Sequence, residues 1–190
     1  MKFKNLEMTG FKSFSEKTNV FIEKGLTGIV GPNGCGKSNI VEALRWCMGE
    51  NSAKSMRGSG MEDVIFSGTS NRPSKNISEV ALLLDNQEKS GPTQYKEFNE
   101  ISIKRKIEKD KGSKYYINDK EVRARDVQTF FADISTGAHS PSLISQGRIG
   151  QLVTAKPIDR KSILEEAAGI SGIHARRQEA ETRLNAAENN

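Results

Sequence analysis

The chain has 190 residues, a formal net charge of +5, 35% hydrophobic and 28% charged residues, 17 glycines and 5 prolines. That fits one domain, or one domain with a solvated extension, and excludes collagen-like and low-complexity scaffolds. Its two cysteines, Cys35 and Cys47, supply no disulfide framework and point to a reducing compartment. No apolar run nears the roughly 20 residues of a membrane helix, and the charged N-terminus MKFKNLEMTGFKSF is not a signal peptide.

Short apolar segments around Phe3, Leu6 and Met8, and then Val20 to Ile22, predict β structure. Leu26 to Val30 is a short apolar run before glycines and predicts a buried strand. Ile40, Val41, Leu44, Cys47 and Met48 recur at helical spacing and predict a helix from about residue 37. Residues 51–75 are rich in Ser, Gly and Asn, a loop around a small strand at Val64 to Phe66. Val80 to Leu84 predicts another strand, and 86–96 an exposed loop. Residues 101–126 predict strands with tight turns at Asp110 and at Asn118-Asp119. A helix is expected over 125–134, and a strand with a loop over 142–153.

After Pro157 the chain lacks aromatic residues and proline. Ile163, Ala167 and Ile170, then Ile173, Ala180, Leu184 and Ala187, form a helical stripe of heptad character. It is either a surface helix or the start of a longer helix. Charge is also localised. Residues 101–126 hold nine basic and five acidic residues, a local +4, which permits a polyanionic partner.

Gly31-Pro32-Asn33-Gly34-Cys35-Gly36-Lys37-Ser38 matches the phosphate-loop pattern G-x-x-x-x-G-K-[ST], between a predicted strand and a predicted helix. Glycines let successive N–H groups turn toward phosphate oxygens, and the helix N-terminus favours negative charge. Residues Pro32 to Asn39 are therefore the candidate nucleotide-binding segment. Lys37 is expected on the β- and γ-phosphates and the Ser38 hydroxyl on Mg²⁺. Hydrolysis also needs an acid at a strand end. Val80 to Asp85 offers one, but the next residue is Asn86 and the surroundings read as antiparallel, so Asp85 is not expected to hold metal. No N-K-x-D element for guanine is present, and neither His139 nor His174 has metal-ligand spacing.

The phosphate loop is one of five ordered motifs. GFKSF (10–14), GPNGCGKSNIVEALRW (31–46), SMRGSGMEDVIFSG (55–68), ISQGR (144–148) and RKSILEEAAGI (160–170) together resemble the N-terminal head half of prokaryotic structural-maintenance-of-chromosomes (SMC) proteins. The resemblance covers essentially the whole chain. It implies an α/β fold of the ABC type, the N-terminal lobe of a P-loop ATPase head, with mixed and antiparallel sheets around the phosphate-loop helix. The lobe would span 1–155, with head-to-coil helices and an emerging coiled coil over 156–190. It implies ATP and Mg²⁺ as cofactors. Gln146 would contact Mg²⁺ and the attacking-water region. Arg57 would lie near the nucleotide and couple ATP binding to DNA. Lys12 and Ser13 match a segment near the nucleotide without a defined role. Val80 to Asp85 becomes a structural strand.

Neither an LSGG-type signature nor an apolar run ending in Asp-Glu occurs in this sequence. In the family both belong to the C-terminal head half, so the chain is expected to form half a head, inactive alone. The resemblance further implies a second head as homodimer partner, a kleisin-type subunit, and double-stranded DNA bound without sequence preference. It implies no membrane, and a cytoplasmic, nucleoid-associated place in chromosome condensation and segregation. Arg123 and Arg125 match basic residues of the family's DNA surface, whereas Gly60 stands where some members carry a base. Alternatives are a DNA-repair ATPase with SMC-like heads, a self-contained P-loop kinase or hydrolase using Asp85, and a DNA-binding module with a vestigial loop.

Overall fold

Burial alternates residue by residue along the long strands, so that one face of each is buried. In the computed structural model, residues 1–134, 150, 153–168, 177, 180–182, 184, 185 and 187 are described. Six strands form one antiparallel sheet: β1 (Lys2–Thr9), β2 (Thr18–Phe21), β3 (Ile77–Asp85), β4 (Glu100–Glu108), β5 (Gly112–Ile117) and β6 (Lys120–Val122). Their order is β2-β1-β3-β4-β5-β6.

One face carries Leu6 and Met8, then Val80, Leu82 and Leu84, then Ile101, Ile103 and Ile107, all buried. Helices α1 (Lys37–Cys47) and α2 (Ala124–Asp133) cover it. α1 lies against β3 and β4, and α2 against β5. Trp46, Ala43 and Cys47 of α1 and Val127, Phe130 and Phe131 of α2 fill the layer between. The other face is polar, with Glu7, Lys104 and Lys114 pairing with Lys17, Asp119 and Glu121. Such pairs at half-exposed positions add little stability each.

The first connection aims the chain at the site. Gly10 has φ +63°, and a Cβ there would stand 2.3 Å from the Ile77 carbonyl oxygen of β3. Only glycine fits both the left-handed backbone and that approach. The turn sends residues 11–14 toward α1, where the Phe11 ring packs at a tilt against Trp46, centroids 5.5 Å apart.

Within the first 134 residues three expectations change. Leu26 to Val30 forms no strand and pairs with none among the described residues, and Leu26 and Val30 are 98% and 93% exposed. A strand needs a neighbour for its backbone groups, and β2 is the edge on that side of the sheet. Val64 to Phe66 is no strand: a 3₁₀ turn at Met61–Val64 ends in a single bridge from Ile65 to Phe11. The 86–96 loop is partly interior. Asn86 is buried, donates to the Tyr95 and Phe98 carbonyls at 3.2 and 2.8 Å, and accepts from the Gly91 amide at 3.0 Å. Its saturated amide organises a loop whose composition reads as solvated.

Helix α3 (Pro157–Ala167) and the helical residues 177, 180–182, 184, 185 and 187 agree with the predicted helical tail. Within the 142–153 segment only 150 and 153 are described, and both are helical rather than strand. None of the helices in the described residues is long and apolar enough to cross a membrane.

Candidate functional site

The loop 31–36 closes onto the first turn of α1 through two left-handed glycines, Gly34 (φ +83°) and Gly36 (φ +94°). At Gly36 a Cβ would fall 2.6 Å from Ser13 Oγ, so the segment after β1 packs directly beneath the loop. Lys37 Nζ donates to the Gly31 and Pro32 carbonyl oxygens at 2.6 Å each and lies 3.8 Å from Cys35 Sγ. The ammonium thus sits within the curl of the backbone. Asn33, Gly34, Gly36, Lys37, Ser38 and Asn39, with Arg57, line a depression of about 320 Å³. Pro32 and Cys35 belong to the curl but not to that lining. The size and the donors suit a polyphosphate: free N–H groups at a helix start, an ammonium, a hydroxyl and a guanidinium.

Beneath the lining is a polar network that sequence reasoning did not resolve. Asn39, Glu42 and Trp46 recur at three and four residues and so share one face of α1. Glu42 Oε2 pairs with Lys12 Nζ, and Glu42 Oε1 pairs with Arg57 Nε. Lys12 also donates to the Met56 carbonyl. Arg57 Nη2 donates to Asn39 Oδ1 at 2.8 Å, and Asn39 Nδ2 donates to Ser13 Oγ at 2.9 Å. Lys12 and Ser13 therefore meet the loop, as the GFKSF motif implied. The signal for Glu42 was available: an acid on a helix face otherwise directed into the core.

The loop that delivers Arg57 is shaped by Asp63. Its carboxylate accepts from the Ser59 and Gly60 amides at 2.6 and 2.9 Å and from the Ser59 hydroxyl at 2.9 Å. These bonds, the one from Gly60 foremost, hold the Asp63 carboxyl below its ordinary range.

Asp85 is remote from this site. It ends β3 in register with Lys2 at the start of β1, whereas Lys12 and Ser13 follow the far end of β1. The nine residues of β3 separate the two ends by roughly 27 Å. Asp85 instead caps its own turn, accepting from the Gln87 amide at 2.9 Å. Gln146, His139 and His174 lie outside the described residues. Among the described residues no group of three or more His, Cys, Asp or Glu side chains is placed to hold a metal.

The basic stretch divides on folding. Arg105 is 2% exposed and faces the core, so it cannot contribute to a surface field. Lys104, Lys111 and Lys114 pair with Asp119, Glu108 and Glu121. Lys106, Lys109, Lys120, Arg123 and Arg125 have no ion-pair partner among the described residues. Arg123 and Arg125 are exposed at the start of α2, where the Arg123 amide donates to Asp126 at 2.9 Å. Lys106 and Lys114 stand directly opposite one another, and the β5–β6 register continued by one residue sets Arg123 beside Lys114.

Comparison with known proteins agrees with this architecture. The sequence pattern of the RecF/RecN/SMC N terminal domain matches residues 2–147. A chromosome partition protein Smc from Cereibacter sphaeroides is 58% identical over 190 residues, all of this chain and 16% of that protein. The chain thus spans about 16% of the length of the curated relatives it matches. The Pyrococcus furiosus Smc head domain, solved with an extended coiled coil and bound to the C-terminal domain of ScpA, superposes with a TM-score of 0.82 at 30% identity, covering 98% of this chain and 46% of that one. A chain from structural work on ATP-driven dimerization and DNA stimulated activation of SMC ATPases gives 0.77 at 30% identity, covering 88% and 99%.

Proposed function

Because the chain belongs to the RecF/RecN/SMC N-terminal domain family, we propose that it is the N-terminal part of an SMC-type ATPase head acting in chromosome partition. The lobe spans 1–155, and 156–190 lead into a coiled coil. Pro32 to Asn39 bind Mg·ATP, with Lys37 on the phosphates and Ser38 ligating Mg²⁺. Gln146 completes the metal and water region, and Arg57 stabilises phosphate charge. Mg²⁺ held by Ser38 would supply positive charge against the phosphates, and the chain's own donors would orient them. A second head closes over the nucleotide, a kleisin-type subunit engages the assembled head, and the protein works in the cytoplasm on the nucleoid.

One observation carries the divided-site reading. The apolar run entering the phosphate loop lies unpaired and exposed, with Leu26 and Val30 almost fully accessible. A loop of this type works with an acid at the end of an adjoining strand that holds the metal, and among the described residues no strand pairs with the run that enters this loop. The expected result is that the 190-residue chain binds Mg·ATP without turning it over. Steady-state hydrolysis then appears on adding the part of the same protein that bears the signature and Walker B motifs. Robust turnover by the chain alone would sink this reading, and Asp85→Asn would then test a self-contained enzyme.

Double-stranded DNA is the proposed second ligand, held by Arg123 and Arg125 through phosphates and so without sequence preference. The unpaired Lys106 and the register of Lys114 beside Arg123 support a cationic row there. Arg123→Glu combined with Arg125→Glu is expected to weaken duplex binding on all sequences alike. It should also reduce the slope of log K against log salt by about 2, one per lost phosphate contact. Fluorescence anisotropy over a salt series measures it; an unchanged slope removes both residues from the surface.

A further inference from the structure

We propose that Glu42 is a positioning residue, whose buried carboxylate fixes the Arg57 guanidinium at the rim of the phosphate loop. The inference rests on the reading of that loop as a nucleotide site. Glu42 lies within α1 with its side chain 10% exposed, and a carboxylate so enclosed requires a cation. Lys12, 13% exposed, already meets that need from the opposite side. The second cation, Arg57, is surplus to neutralisation, and its side chain is 58% exposed at the depression.

The backbone points the same way. Lys12 (φ 47°) and Arg57 (φ 55°) are both left-handed without being glycine, and both deliver their charge to this one carboxylate. Such conformations persist only where the surroundings enforce them. Arg57 is then held at two points of its plane: Nε on Glu42 Oε1, and Nη2 on Asn39 Oδ1 at 2.8 Å. The ion pair and the one hydrogen bond together restrain the planar fork and leave its remaining N–H groups for another acceptor. With two cations against one anion, the cluster keeps a positive balance next to Lys37. A phosphate oxygen is the acceptor that geometry and charge fit.

The test is a double-mutant cycle read by calorimetric titration of the chain with Mg·ATP. Glu42→Gln keeps the shape and loses the charge. It is expected to weaken binding about tenfold, as is Arg57→Ala. Glu42→Gln in the Arg57→Ala background should add less than twofold, because Glu42 acts through Arg57. A merely structural role would instead weaken both backgrounds equally, and that result overturns the proposal, as does unchanged affinity in a folded Glu42→Gln protein. Circular dichroism establishes folding. If Glu42→Gln does not fold, Glu42→Asp, which keeps the charge but is one methylene short of Arg57, runs the same cycle with the same criteria. Absence of Mg·ATP binding by the unaltered chain would overturn the nucleotide reading itself, and this inference with it.

Discussion

Arg105→Ala is expected to cost about 4 kcal/mol of folding stability, the sum of a cavity in the core and the loss of buried, charge-assisted hydrogen bonds. Arg105 occupies an inward position of β4 between Ile103 and Ile107. Its guanidinium carbon lies 4.5 Å from the Trp46 ring centre and 4.7 Å from that of Tyr115. Nη1 donates to the Trp46 and Glu50 carbonyl oxygens at 2.9 and 2.6 Å, and Nη2 reaches Asn51 Oδ1 and Ser113 Oγ at 3.3 Å each. The cation thus closes the C-terminal end of α1, where its charge also complements the helix dipole. Burial pushes its pKa down from the ordinary arginine value, the cost that these bonds and the two ring faces offset.

Alanine strips the guanidinium donor from the Glu50 carbonyl, leaves the Trp46 carbonyl with the Gly49 amide alone, and opens a cavity between two aromatic rings. Arg105→Met refills the volume but not the bonds and should recover only part of the loss. Arg105→Lys should not restore the parent value, because a point charge on a flexible stem cannot stack on both rings and reach both carbonyls. Urea unfolding measures the series. A loss below about 1 kcal/mol for alanine, the ordinary range of exposed positions, would contradict this account.

Lys37→Ile is expected to weaken Mg·ATP binding about a hundredfold while leaving the melting profile of the chain almost unchanged. The lysine's hydrogen bonds in the structure run only to the loop around it, two carbonyls and a thiol sulfur, so its loss removes no packing. On a phosphate it supplies a charge-assisted bond of up to about 3 kcal/mol, which is close to two decades of affinity. Isoleucine keeps comparable bulk at the first residue of α1. Calorimetry at constant ionic strength provides the comparison. Retained affinity would mean that the loop's N–H groups alone hold the nucleotide, and that the ammonium serves only to order the loop.

Much of this was legible in the residues, and the exceptions have physical causes. The strands from β3 to β6 and helix α1 are written in periodicity, and their partners are local hairpins or the adjoining sheet, so pattern and fold agree. Leu26 to Val30 reads as a strand because composition reports preference, whereas a strand also requires an edge to pair with. Arg105 hides inside a basic run. Counted by charge it is one of nine surface bases; counted by alternation with Ile101, Ile103 and Ile107 it faces inward, and alternation decides. Glu42, Lys12 and Arg57 come from three separate segments, and their convergence depends on the left-handed turns after β1 and after Met56. The left-handed turns of the 31–36 loop were legible because its glycines serve a local backbone conformation.

The Trp46 ring also has a use in solution. It is the chain's single tryptophan, wholly buried, with its indole N–H on Met61 Sδ at 3.3 Å and a guanidinium across its face. Its emission therefore reports on one place only: the seam where α1 meets the sheet, nine residues along the same helix from Lys37. Unfolding of that seam can be followed by intrinsic, label-free fluorescence, apart from any change at the loop end of α1.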